Sequence, residues 1–169
     1  MPKNSSPSES VVSTYQQLAA VALDLNSVSD ELGKSIGEID SALRRLNLGI
    51  SAWIQISGSE DPNTGSYWSE DIGYAKINGR WGIALRTVSG NNTWPEDDVE
   101  QWLFNEAPRS MRLGALESIP KLLVELGKAA ADTAQKIKGR LSEAQNLAVT
   151  LRNASFEPRP KKNTGEEGK

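Results

Sequence analysis

Apolar residues recur in the first part of the chain at alternating steps of four and three. They are Val11, Tyr15, Leu18, Ala22 and Leu25, then Leu32, Ile36, Ile39, Leu43 and Leu46, with Ser29 breaking the series. A 3.5-residue period held this long predicts a helix lying against another helix. Near the C-terminus the rhythm returns in Ile119, Leu123, Leu126, Ala130, Thr133, Ile137, Arg140, Ala144, Leu147 and Leu151. Laid antiparallel, the two stretches place Leu46 opposite Ile119, Leu43 opposite Leu123, Ile36 opposite Ala130 and Leu18 opposite Leu147. Gly33 and Gly37 then fall level with the run Ala129-Ala130-Ala131. Each glycine weakens a helix by about 1 kcal/mol against alanine. The pair reads as a close helix crossing or as a hinge, and the small residues opposite favour the crossing.

Between the two stretches the period changes to two. Ile50, Ala52, Ile54 and Ile56 alternate with Ser51, Trp53 and Gln55, the pattern of a half-buried strand. Residues 57–66 read as a loop. Asn78-Gly79 between two β-like runs has the composition of a two-residue type I′ hairpin. That turn fixes a register: Ile77 with Arg80, Ala75 with Gly82, Tyr74 with Ile83, Gly73 with Ala84, and Asp71 with Arg86. One face then carries Ile72, Tyr74, Trp81, Ile83 and Leu85. The other carries Gly73, Ala75, Gly82 and Ala84, a patch with little side-chain bulk. This patch fits a helix pressed close to the sheet, or a shallow platform for a partner's backbone or a flat ligand.

Trp94-Pro95-Glu96-Asp97-Asp98 reads as a helix start, with Val99, Trp102 and Leu103 following at helical spacing. Ala107-Pro108 breaks it, and residues 110–118 form a second short helix. The expected fold is therefore α+β: a long antiparallel helical hairpin, coiled-coil-like, carrying a small antiparallel β-sheet head and one or two short helices. Its parts are a long helix over 10–47, sheet over 48–89, short helices over 94–117 and a long helix over 118–154, forming one domain over 10–156. Residues 1–9 and 157–169 are polar, aperiodic and expected to be disordered.

Composition narrows the chemistry. The 169 residues include no His and no Cys. Disulfides, thiolate or imidazole metal sites and Ser-His-Asp or Cys-His catalysis are thereby excluded within one chain. The net charge of −3 gives no reason to expect nucleic acid. The N-terminus has no apolar h-region and no segment has the length of a membrane span, so a cytoplasmic protein without a membrane partner is expected.

Carboxylates gather at Glu60, Asp61, Glu70, Asp71, Asp97, Asp98 and Glu100. The loop from Asp61 fails as a calcium loop, having Ser66 where Gly is needed and Ile72 where the bidentate Glu is needed. Asp71 reads more simply as a cross-strand partner of Arg86. No metal and no cofactor are expected.

The residues singled out for partner binding are Trp53, Arg80, Arg86, Arg109 and Arg112. Trp53 lies on the polar face of its strand. Arg109 and Arg112 share a helix face beside the Pro108 break. The expected function is that of a non-enzymatic interaction protein, an adaptor or assembly subunit. Its helices assemble a homo-oligomer, with a dimer favoured, and its head recognises a protein partner. The alternatives are a regulatory or inhibitory binder of a small ligand or nucleic acid, and a carboxylate- and metal-dependent enzyme.

Overall fold

The computed structural model describes residues 7–93 and 96–154. The lead-in up to Ser6, the Trp94-Pro95 helix start and the tail from Glu157 lie outside them. Helix α1 spans Pro7–Arg45, strands β1 to β4 span Ala52–Glu60, Ser66–Ile77, Arg80–Asn91 and Asp98–Leu103, and helices α2 and α3 span Arg109–Ala115 and Ile119–Ala154. Single 3-10 turns, Phe104–Glu106 and Leu116–Ser118, lead into α2 and α3. The chain divides into two compact units at Ala129/Ala130, within α3.

The first unit is built on one antiparallel sheet in the order β1-β2-β3-β4. The β2–β3 hairpin turns at Asn78 and Gly79, both with positive φ as a type I′ turn requires. Its register is the one the turn dictates, from Ile77 opposite Arg80 to Asp71 opposite Arg86, and it runs on to Ser66 opposite Asn91. β1 joins β2 with a bulge between Gln55 and Ser57. Ile50, Ala52, Ile54 and Ile56, alternate residues of this stretch, all pack against the core.

That core lies on one sheet face. Ile72, Tyr74, Ile83 and Leu85 meet Ile36 and Leu43 of α1, Met111 and Ala115 of α2, and Ile119, Leu122 and Leu126 of α3. Tyr74 and Trp81 stack with ring centroids 5.5 Å apart. Phe104 and Ala107 close the end of the layer.

Two expectations are overturned. The chain is α+β, but the helical hairpin does not form. Val11 and Leu18, expected inside a helix–helix seam, are 68% and 63% exposed, and Leu147 is 58% exposed. Where the stripes are covered, the sheet and the short helices cover them. On α3 the buried side chains are Ile119, Leu122 and Leu126, while the expected seam residue Leu123 is 41% exposed. A face turned to a sheet follows the 3.6-residue period of a straight helix rather than the 3.5 of a seam. Nor do the glycines mark a helix crossing. Gly33 lies against Asn105, whose amide donates to the Gly33 carbonyl at 3.1 Å, and a Cβ at Gly37 or Gly127 would meet open space.

The second correction is β4. Residues 98–103, expected as helix, pair with β3 from Asp98 opposite Ser89 to Leu103 opposite Ala84. An edge strand offered by the hairpin outcompetes a six-residue helix too short to hold itself.

The second unit's described part is residues 130–154 of α3. It is helical, with nearly all of its side chains exposed, among them Ile137, Leu141 and Leu147.

Candidate functional site

The small-residue patch is covered by a strand-borne ring. Trp53 of β1 pairs with Gly73, and its indole lies over that glycine. A Cβ on Gly73 would come within 2.4 Å of the ring, so the close approach requires glycine there. Leu103 of β4 packs beside Ala75, Ile77 and Ala84 in the same cluster. The next cross-strand row reads Gln55, Asp71, Arg86, Gln101. Arg86 sits with its guanidinium carbon 4.2 Å from the Trp53 ring centroid, a cation–π contact, and its Nε donates to buried Asp71 at 2.8 Å. The structure thus brings Trp53 and Arg86 together.

Arg80 stands apart, ion-paired with Glu106 at the turn after β4. Arg109 and Arg112 form a third group. α2 follows Pro108, and both guanidinium groups reach α1: Arg109 donates to Asn26 Oδ1 at 3.0 Å and Arg112 to Ser29 Oγ at 3.4 Å. Arg112 Nε is buried without an acceptor among the described residues. Between α1 and α2 lies a groove of about 60 Å³. Leu25, Val28, Leu32 and Leu113 line it, with Ser29 and the two arginine stems at its walls.

The groove is the end of a longer surface, exposed where its periodicity predicts a covered seam. From Val11 to Val28, α1 leaves Val11, Tyr15, Leu18, Val21, Leu25 and Val28 exposed. Asp24 is the one charged residue between Ser10 and Ser29. The available signal was the flanks of the repeat. Thr14, Ala19, Val21 and Val28 stand where an isolated two-helix seam carries Glu and Lys, so the apolar band is broad.

A second residue missed in the sequence is Asp40 of α1. β4 ends at Leu103 opposite Ala84, and just beyond it Asp40 accepts the Ile83 backbone N–H at 2.6 Å. Burial pushes the Asp40 carboxyl above its ordinary value, against the pull of that N–H and of Arg44.

Two more of the head's carboxylates, Asp61 and Asp97, are engaged locally. Asp61 accepts the Asn63 N–H and the Thr64 hydroxyl, which hold its carboxyl below the usual range and close the turn before β2. The Tyr67 hydroxyl donates to Asp97. Among the described residues no group of three or more acidic side chains is placed to hold a metal ion, and no helix is long and apolar enough to cross a membrane. No protein-family model, curated protein or solved structure matches the chain.

Proposed function

We propose that the chain is a non-enzymatic interaction protein of the cytoplasm, an adaptor or assembly subunit. The bare face of α1 is its assembly surface, and the sheet face around Trp53 meets a further protein partner. One observation carries the reading: a broad apolar band, Val11 to Val28, exposed on a helix with a single charge in that stretch. Exposed apolar patches of this extent mark interaction sites. Helical stability comes mostly from packing an apolar face, and on this one Val11, Tyr15, Leu18 and Val21 are each more than 60% exposed.

Light scattering of the full chain at rising concentration tests this, wild type beside Leu18→Glu. The expected result is an assembled wild type and a dissociated variant. A wild type that stays monomeric, with no protein partner whose binding Leu18→Glu abolishes, overturns it.

A further inference from the structure

The α1 stripe has two halves. From Leu32 to Leu43 the chain's own core occupies it, through Ile36 and Leu43. From Val11 to Val28 it is bare, and the groove beside Ser29 marks the boundary. We propose that the bare half receives the same half of a second copy, antiparallel and centred on Ala20. Leu18 of each copy then lies against Ala22 of the other, Tyr15 against Leu25, and Val11 enters the groove at Ser29. This arrangement rests on the reading of α1 as an assembly surface.

Three arguments select this occupant. The first is layering. Antiparallel helices pack the two seam positions of the repeat against each other. One register does this for every bare seam residue while bringing Val11 to the groove. A parallel partner would run its helix into the core that already covers Ile36 and Leu43. The second is charge. Asp24 falls level with Gln16 of the other copy, so two identical faces meet without like charges opposed. The third is area. Six exposed side chains of about 100 Å² each offer on the order of 600 Å² per copy before the polar rim. A standard stable interface takes about 800 Å² per partner. Ala19 and Ala22 near the centre let the two backbones approach.

The absence of cysteine makes the test unambiguous. The full chain carrying Tyr15→Cys and Leu25→Cys is oxidised mildly and its linked peptides are identified by mass spectrometry, with light scattering of the wild type alongside. The expected product is a covalent dimer linking position 15 of one copy to position 25 of the other. Positions 15 and 15 then lie ten residues apart, about 15 Å, too far for a disulfide. The two single variants, each less perturbed, give the linked dimer only when mixed.

Links between like positions overturn the antiparallel arrangement. So does a wild type that assembles while the mixed single variants stay unlinked. In both cases α1 remains an assembly surface. A monomeric wild type overturns the second copy as occupant; the assembly reading then stands only if a different protein binds wild type and not Leu18→Glu.

Discussion

The Asp40 carboxylate of α1 accepts the Ile83 backbone N–H at 2.6 Å, where β4 has stopped and β3 has no strand on that side. A helix side chain thus completes the sheet edge and ties α1 to it. Asp40→Ala removes the acceptor from the N–H of buried Ile83 and is expected to cost about 1–3 kcal/mol, read from denaturant unfolding. Asp40→Asn keeps an acceptor and removes the charge. A carboxyl whose folded pKa is raised stabilises the fold in its neutral form. That contribution is full below the ordinary value of 3.8 and is lost as pH rises through the raised value. Asp40→Asn is therefore expected to match wild type at low pH. It should become the more stable of the two as pH rises through that window, and the gap should stay constant at neutral pH. Thermal unfolding across pH checks this.

Arg86 bridges Trp53 and Asp71. Arg86→Ala leaves Asp71 buried without its cation. The expected loss is about 2–3 kcal/mol, below the ~3–5 kcal/mol of a fully buried pair, because the Arg86 side chain is 30% exposed. Asp71→Asn added to Arg86→Ala should recover part of it. Gly73→Ala forces the indole off the sheet and should cost about 1–3 kcal/mol, with a change in tryptophan fluorescence.

Tyr67 donates to Asp97, and that bond raises the phenol above 10.0, with smaller contributions from burial and from the charges of Asp97 and Glu60. The neutral phenol's contribution to stability is full below 10.0 and is lost as pH rises through the raised value. Asp97→Asn is expected to bring the Tyr67 transition back toward 10.0 in an ultraviolet titration. Tyr74, raised chiefly by burial, should be unmoved by that change.

The hairpin was legible in the sequence because Asn78-Gly79 is a local signal, and its register decides both faces of β2 and β3 with no long-range information. Trp53 was legible as a face residue, but its place over Gly73 depended on β1 pairing with β2, which no local pattern specifies. β4 was misread because Val99, Trp102 and Leu103 satisfy helical spacing, while the free edge of β3 that captures them is a tertiary fact. The seams of α1 and α3 were visible as apolar periodicity. Periodicity shows that a face wants cover, not what covers it: Leu43 found the sheet, and Leu18 stays 63% exposed. Arg109 and Arg112 were rightly placed on one face, but their reach to Asn26 and Ser29 needed α1 beside α2.

The most direct test of the central claim, that Val11–Val28 is an assembly surface, is hydrogen exchange of its backbone amides against protein concentration. Five helical turns without packing fray, and covered turns do not. Fast exchange in dilute solution, and protection that rises with concentration and is abolished by Leu18→Glu, are expected. Exchange that is the same at every concentration, in wild type and variant alike, would contradict it.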